Sequence, residues 1–268
     1  MLRALKDFEG YQVSATDGDV GVVVDFLLDD QRWTLRYLVA EAGGSLLDGR
    51  RDVLLSPLSF RRPEAGSRRF HVALTVEKIK NSPSIDTHES VSRQHEEAYY
   101  GYYGYPYYWG GGAGAWAMGM YPALLANGPL PEAPDQAPGD VHLRSAREIR
   151  GYHIQGSDEA VGHLDDLIVD DETWEVRYLV VDTSNWWLGK KVLVAPQWAS
   201  RVSWEERQIH VDLRREQIKN SPEWNAGVAI RREYEARLHD HYGRSPYWAA
   251  PVSPAMPPPP RHPGGPPG

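Results

Sequence analysis

Short apolar runs separated by turn-forming residues dominate the first part of the chain. Val20–Leu28 is a run of β-branched and aliphatic residues, and Trp33–Val39 is a second strand-like run. Both are too short and too rich in β-branched and aromatic residues for helices, so they predict strands. Asp29–Arg32 between them is typical of a turn. Five or six such strands in close succession predict a small β-barrel or sandwich.

This pattern occurs twice along the chain. Shifted by 141 positions, Leu5–Glu41 lies over Ala146–Asp182 without a gap, and Ile79–Pro83 recurs unchanged as Ile218–Pro222. The identical pairs include Gly10/Gly151, Tyr11/Tyr152, Asp17/Asp158, Val20/Val161, Gly21/Gly162, Asp25/Asp166, Asp29/Asp170, Asp30/Asp171, Trp33/Trp174, Arg36/Arg177, Tyr37/Tyr178 and Leu38/Leu179. A long segment that occurs twice indicates two copies of a domain rather than a solenoid.

Two short helices are predicted after each set of strands. Thr75 and Asp212 are residue types that cap the first helix of each repeat. The second helices, Val91–Tyr103 and Arg231–Tyr242, each carry one apolar stripe on a polar surface. Their stripes contain Tyr99 and Tyr103 in the first repeat and Tyr234, Leu238 and Tyr242 in the second. We expect these helices to dock on their own barrel or on a dimer partner.

The register of the central hairpin can be predicted from a two-residue turn at Asp30-Gln31. Asp25 then lies opposite Arg36, and Asp166 lies opposite Arg177 in the second repeat. We therefore predict one cross-strand ion pair per repeat, which contributes about 0.2–1 kcal/mol and fixes the register.

The repeats differ on one face of the long strand. Val22 and Val24 of the first repeat correspond to His163 and Asp165 of the second. Exposed β-branched residues favour association, so Val22 and Val24 are predicted to contact something that the second repeat lacks. The other barrel, a second chain and the central aromatic segment all remain open as that contact.

The connection between the repeats is rich in Tyr, Gly and Pro. Tyr99–Trp109 carries seven Tyr and one Trp, and Gly110–Ala126 is apolar and Gly-rich. Interruption by Gly and Pro and the absence of positive flanks disfavour a transmembrane span, although peripheral membrane contact stays open. The favoured interpretation is an adhesive or flexible linker. Ser253–Gly268 is a Pro/Gly tail typical of disorder or polyproline helix.

Composition narrows the function classes. The net charge of −8 argues against nucleic-acid binding as the main role, although Arg61-Arg62 with Arg68-Arg69 is a local basic cluster. The chain has no Cys, and its first residues lack the apolar stretch of a secretory signal, so we expect a cytoplasmic protein.

No residue pattern points to a reaction. His239-Asp240-His241 has metal-like spacing, but residues i and i+2 of a helix point apart. His163 and Asp165 share a strand face without an evident third ligand, and the paired aspartates at the hairpin turns are ordinary turn residues. Gly110–Gly114 follows no strand, so it does not indicate a phosphate-binding loop. We predict no catalytic, cofactor-binding or metal-binding residues, and no enzyme activity.

The ordered set of motifs resembles a known family. Gly-Tyr-x-Val/Ile, then Asp-x-x-Val-Gly, then an apolar strand ending in Asp-Asp, then Trp-x-apolar-Arg-Tyr-Leu-Val occur in both repeats. Together they resemble the PRC-barrel domain, in tandem, over Leu5–Pro83 and Ala146–Pro222. The Ser92–Trp109 segment resembles extensions in bacterial PRC-barrel proteins.

The resemblance implies a mainly β fold: two small antiparallel PRC-type barrels in tandem, each followed by short α-helices and joined by a Tyr/Gly/Pro-rich linker. The predicted units are barrel 1 (1–83), a helical extension (84–109), the linker (110–140), barrel 2 (141–222), a second extension (223–248) and a tail (249–268).

The resemblance also implies a protein-docking role without catalysis. The leading prediction is a scaffold that binds protein partners and self-associates, with no cofactor. Its interaction face is predicted to contain Val22, Val24, Tyr99, Tyr103, Tyr234, Leu238 and Tyr242. Three alternatives are left open: a membrane-associated regulator similar to the photosynthetic reaction-centre H subunit, an RNA- or ribosome-linked factor, and a metal or small-ligand binder or hydrolase.

Overall fold

The structure is a computed structural model and describes residues 1–43, 51–61, 66–83, 93–105, 143–183 and 189–249. The strands are β1 (Leu2–Ala4), β2 (Gln12–Ser14), β3 (Asp19–Asp29), β4 (Thr34–Ala42), β5 (Arg51–Leu55), β6 (Arg69–His71), β7 (Leu143–Ser145), β8 (His153–Gln155), β9 (Ala160–Asp170), β10 (Val176–Asp182), β11 (Lys191–Val194), β12 (Ala199–Ser203) and β13 (Gln208–Val211). The helices are α1 (Val76–Lys80), α2 (Arg93–Tyr103), α3 (Ala146–Ile149), α4 (Arg215–Lys219) and α5 (Arg232–Tyr242), with 3-10 turns at Leu5–Phe8, Pro57–Ser59 and Pro196–Trp198.

The strands form two sheets with closely matching order. Sheet 1 runs β5-β4-β3-β2-β6, and sheet 2 runs β11-β10-β9-β8-β13-β12. Within each sheet the β2–β6 and β8–β13 pairs are parallel, and the other pairs are antiparallel. The mainly β architecture is therefore as predicted. Among the described strands neither sheet closes on itself, so the expectation of closed barrels is not confirmed.

The first strand of each repeat belongs to the sheet of the other repeat. Strand β1 pairs with β9, so that Leu2 lies opposite Asp170, and β7 pairs with β3, so that Leu143 lies opposite Asp29. The two pairings are equivalent, because Leu2 corresponds to Leu143 and Asp29 corresponds to Asp170 in the 141-residue shift. The repeats thus exchange their first strands reciprocally and are related by an approximate two-fold axis.

The central hairpin explains why the predicted ion pairs are wrong. Strands β3 and β4 are joined by four residues rather than two, and bulges interrupt the register. Asp25 consequently lies opposite Val39 instead of Arg36, and Asp166 lies opposite Val180 instead of Arg177. The last loop residue is Trp33, whose φ of 51° is in the left-handed region that side chains rarely adopt.

A glycine shared by the repeats allows the long hairpin strands to approach closely. A Cβ on Gly21 would lie 1.9 Å from the carbonyl oxygen of Glu41, and one on Gly162 would lie 2.0 Å from that of Asp182. Both contacts are with backbone, which cannot turn away. The identity of these two positions therefore has a steric cause.

The helices pack against the sheets and complete the core. The Thr75 hydroxyl accepts a hydrogen bond from the Lys78 N–H, which confirms its predicted capping role. Asp212 does not cap the equivalent helix, because α4 begins three residues later with Arg214 in the cap position. Helices α2 and α5 follow, each of 11 residues, with buried apolar stripes.

Candidate functional site

Most of the predicted interaction face lies in the core of the chain itself. Tyr99, Tyr103, Leu238 and Tyr242 are buried, and the Tyr99 hydroxyl accepts a hydrogen bond of 2.8 Å from the Ser56 N–H. The apolar stripes of α2 and α5 therefore dock on the chain's own sheets, which corrects the idea that these four side chains meet a partner. Their burial follows from tertiary packing, which helical periodicity alone does not specify.

The remaining members of that face are half-buried: Val22, Val24 and Tyr234. The Tyr234 hydroxyl donates to the Pro222 carbonyl at 3.0 Å. A partner contact at these three positions stays a prediction.

The surface between the repeats, here called the junction, is built from duplicated contacts. The Arg3 guanidinium lies 3.8 Å from the Asp171 carboxylate, and Arg144 lies 3.4 Å from Asp30 in the equivalent pair. All four side chains are at least three-quarters buried. One aspartate of each hairpin turn, Asp30 or Asp171, thus contacts an arginine of the exchanged strand and helps to hold that strand in place.

Two more aspartates receive backbone N–H groups from the opposite repeat. Asp166 accepts from the Lys6 N–H at 3.3 Å, and Asp25 accepts from the Arg147 N–H at 3.1 Å. Burial raises the pKa of both carboxyl groups, to about 6 for Asp166. These carboxylates therefore join the repeats instead of forming the predicted cross-strand pairs. The sequence signal for this role was their identity in both repeats.

The arginines of the predicted pairs have other partners. Arg36 is fully buried and its Nη2 lies 2.8 Å from the Asp29 carboxylate. Arg177 is one-fifth exposed and lies 2.5 Å from Glu175 and 3.9 Å from Asp170. Each arginine thus stabilises the end of its own hairpin.

The junction also has contacts between equivalent positions, which must lie at the approximate two-fold axis. Thr34 forms a β-bridge with Glu175, and the flanking tryptophan carbonyls accept hydrogen bonds from Leu35 and Val176 across the repeats. Farther along the axis, the Glu9 carboxylate forms an ion pair with the Arg150 guanidinium. At this axial position the two repeats carry opposite charges.

The tryptophan of the second hairpin enters the first repeat. The Trp174 ring packs against Phe8, Phe60 and Phe70, with ring centroids 5.0–6.0 Å apart. Its φ of 58° is in the left-handed region, as for its counterpart in the first repeat. We infer that this strained backbone is maintained because it directs the tryptophan carbonyls across the junction. A repeated Trp after a turn was the available sequence signal.

One side of the junction is asymmetric in charge. Asp165 accepts from the ammonium groups of Lys6 at 2.7 Å and Lys191 at 2.8 Å. The equivalent of Asp165 in the first repeat is Val24, which lines a cavity of about 400 Å³ with Asp25 and Arg147. The Val24 and Asp165 difference noted in the sequence therefore lies at the junction.

An apolar groove lies beside the junction, on the surface of the second repeat. The loop between α4 and α5 and the exposed side of α5 enclose about 470 Å³. The groove is lined by Trp224, Val228, Ala229, Ile230 and Tyr234, with Glu223, Arg231, Glu233 and Arg237 also present. Val228 is 64% exposed. A smaller cavity of about 170 Å³ shares this loop and reaches β1 of the first repeat.

Acid–base groups cluster under α5, yet they are enclosed. Glu235 accepts from the hydroxyls of Tyr178 at 2.9 Å and Tyr247 at 3.0 Å, and the His239 Nε2 lies 3.2 Å from the Tyr178 oxygen. Burial raises the pKa of Tyr178 and lowers that of His239. Glu235 and His239 are at most 3% exposed, and their contacts with Tyr178 join α5 to β10.

The other residues considered in the sequence for metal or nucleic-acid binding lie in separate places in the structure. His239 is in the network just described, whereas His241 Nε2 lies 2.7 Å from the Gln217 carbonyl oxygen. In the parts of the chain that the structure describes, no group of three or more His, Cys, Asp or Glu side chains could hold a metal ion. Of the basic cluster, Arg69 pairs with Asp19 at 2.8 Å and Arg68 stacks over the Tyr11 ring, while Arg62 lies outside the described residues.

Most of the aromatic linker lies outside the described residues, from 106 to 142, as does the tail from 250. None of the described helices combines the length and the apolarity needed to cross a membrane. The predictions for the linker and tail therefore stay predictions, as does the cytoplasmic location.

Comparison with known families adds one finding. Residues 142–218 match the PRC-barrel domain. The PRC-barrel match begins just before β7, which pairs with sheet 1, and ends within α4. The first repeat lies outside the matched residues. A search of curated proteins gave no match to the chain.

Proposed function

We propose that the chain is a non-enzymatic protein-interaction module in which both repeats are PRC-type units. The strand order shared by the sheets supports extending the PRC type to the first repeat, with the same parallel β2–β6 and β8–β13 pairs. The proposal includes self-association of the chain and requires no cofactor.

The apolar groove beside the junction is the observation that carries the proposal. It exposes Val228 next to Ile230 and Tyr234, and charges of both signs surround these apolar residues. A contiguous apolar surface with a polar rim is typical of protein-interaction sites. We propose that the groove binds a polypeptide segment with an apolar anchor residue and charged flanks, because two acidic and two basic side chains line it.

A displayed library of random twelve-residue peptides, selected against the full-length chain, tests this proposal. We expect the enriched peptides to share an apolar anchor flanked by charged residues. Val228→Glu is expected to weaken their binding at least tenfold, because it places a carboxylate on the apolar surface.

Tyr102→Glu is the matched control, since Tyr102 is exposed on α2 outside the groove. It is expected to leave peptide binding within twofold of the unsubstituted chain. Failure to enrich any peptide, or equal binding by both variants, would contradict the assignment of the groove.

A further inference from the structure

The junction has the features of an interface between two molecules, although it lies within one. Its strands are exchanged, its contacts are duplicated about a two-fold axis, and every contact is non-covalent. The repeats are covalently joined only by the chain between residues 105 and 143. A second chain offers the same pair of surfaces, so exchange between chains requires no new contact.

We propose that the junction also pairs the repeats of two copies of this chain, the first repeat of one with the second repeat of the other. The proposal assigns the Glu9–Arg150 ion pair as the contact that restricts pairing to unlike repeats. It deepens the proposed function by naming the partner in self-association, and it is independent of what the groove binds.

The axial position of Glu9 and Arg150 carries this assignment. Because they are equivalent residues in contact, two first repeats would place Glu9 against Glu9, and two second repeats would place Arg150 against Arg150. Arg150 is 15% exposed and Glu9 is 34% exposed, so water screens these charges incompletely. Only the unlike combination gives opposite charges.

The duplicated arginine–aspartate contacts do not distinguish like pairs of repeats from unlike pairs. A pair of second repeats would still place Arg144 near Asp171, since arginine occupies both equivalent positions. A pair of first repeats would place Lys6 beside Val24, without the carboxylate that Asp165 provides. A pair of second repeats would place Arg147, the equivalent of Lys6, beside Asp165, so this off-axis difference disfavours only the pair of first repeats. The charge at the axis is therefore the contact that selects unlike repeats.

The covalent connection decides whether the pairing occurs within or between chains. The composition of the Tyr/Gly/Pro-rich connection predicts a flexible linker, and such a linker gives joined segments an effective concentration of up to the millimolar range. We therefore expect the unsubstituted chain to be mainly monomeric at micromolar concentration and to form the exchanged dimer as it approaches millimolar concentration.

Two full-length charge reversals test the proposal when they are mixed. E9R places two arginines at the axis, and R150E places two carboxylates there, so each variant alone is expected to melt about 3–6 °C below the unsubstituted chain. The E9R chain carries a positive charge at positions 9 and 150, and the R150E chain carries a negative charge at both. In an exchanged dimer of the two variants, each axial contact therefore brings a positive residue of one chain against a negative residue of the other. After joint refolding at about 50 μM, we expect a species of twice the 30.2 kDa chain mass that contains both chains.

The chain with both reversals, E9R/R150E, is the reference for full rescue. The carboxylate introduced by R150E lies near Asp166, whose Oδ1 is 3.9 Å from Arg150 Nε, and this repulsion is common to the reference and the exchanged dimer. We expect the mixed dimer to melt within about 2 °C of E9R/R150E, and E9R/R150E itself to be monomeric.

E159R and R215E form the matched control mixture. Glu159 and Arg215 are also an ion pair, but both lie in the second repeat. Because positions 159 and 215 of one chain stay together when repeats are exchanged between chains, the repulsion within each variant is not relieved. We therefore expect no mixed dimer.

Three results would overturn the proposal. They are single variants that melt like the unsubstituted chain, a mixture that keeps the monomer mass and the lowered melting temperatures, and a control mixture that dimerises equally. If either single variant fails to fold alone, co-expression of differently tagged E9R and R150E chains decides. Co-purification in a one-to-one complex supports exchange, and its failure while E9R/R150E folds contradicts it.

Discussion

Equivalent residues of the two repeats lie in different environments, and their contributions to the stability of the fold differ accordingly. Asp29 and Arg36 form an ion pair in which the arginine is fully buried, whereas the equivalent Asp170 and Arg177 are 3.9 Å apart and each one-fifth exposed. A buried charge that loses its partner is costly, while an exposed pair contributes little. The same substitution should therefore have unequal effects in the repeats.

Asp29→Asn tests this difference. We expect it to lower the free energy of unfolding by about 3 kcal/mol, because it removes the carboxylate charge beside the buried Arg36. The amide oxygen of the variant can still accept the Gln31 and Arg32 N–H groups of the turn. Urea unfolding provides the measurement.

Asp170→Asn is the matched variant in the second repeat, with an expected loss below about 1 kcal/mol. Equal losses from the two substitutions would show that burial of the pair does not determine its contribution.

Asp166 gives the junction a defined pH dependence. Burial raises its pKa to about 6 in the folded chain, above the ordinary value of 3.8. The folded state therefore binds more protons than the unfolded state between these values, and stability decreases as pH rises through this window. The expected decrease attributable to Asp166 is on the order of 2 kcal/mol between pH 4 and pH 7.

Asp166→Asn removes this titration. The unfolding free energy of the unsubstituted chain, minus that of the variant, is expected to fall from pH 4 to pH 7. Asn225→Ala replaces an exposed side chain that carries no titratable group, so it is the control and should give a constant difference. A difference that rises with pH for Asp166→Asn would show that the pKa of Asp166 is lowered, and not raised, in the folded chain.

At the scale of elements, periodicity predicted the local structure and failed at long-range pairing. Val20–Leu28 lies within β3, and all of the second predicted run except its first residue, Trp33, lies within β4. Both runs were recognisable because buried strands require continuous or alternating apolar residues. The hairpin register was missed because a left-handed Trp33 lengthens the loop, and residue type gives no sign of this.

The exchanged strands were missed for a different reason. Leu2–Ala4 has only three residues, too few to show a period, and its partner is more than 160 positions away. The available signal was identity, since Leu2-Arg3 recurs as Leu143-Arg144 at the same 141-residue shift. The candidate groove was also beyond prediction, because its lining comes from a loop and a helix face that tertiary packing brings together.

The close approach within each long hairpin leads to a prediction for β9. Gly162→Ala places a Cβ 2.0 Å from the Asp182 carbonyl oxygen, so the strands must separate. We expect the melting temperature to fall by at least about 4 °C, in line with a loss of 1–3 kcal/mol from overpacking.

Gly101→Ala is the control, because a Cβ there has no neighbour within 4 Å and alanine favours the helix. It should leave the melting temperature unchanged or raise it. An equal fall for both variants would indicate a general effect of replacing glycine.

At the scale of the whole molecule, the two repeats form one structural unit. Each contributes a strand to the other's sheet, and Trp174 fills an aromatic cluster of the first repeat. A cut in the connection should therefore leave the repeats together.

This can be measured with a protease site inserted after Asn127. The cleaved chain is expected to elute as one species with the mass of the intact 30.2 kDa chain. Two separate fragments at micromolar concentration would contradict the reciprocal pairing, since the exchanged strands would then contribute too little to hold the halves.

The reciprocal pairing has a consequence for synthesis of the chain. The first half leaves the ribosome with the β3 edge uncovered, because its covering strand begins only at Leu143. At about 5–20 residues per second, that edge waits several seconds for its partner. During this interval all nascent chains on one messenger RNA have the same unpaired β3 edge. Mispairing between the β3 edges of neighbouring nascent chains is therefore expected mainly on polysomes.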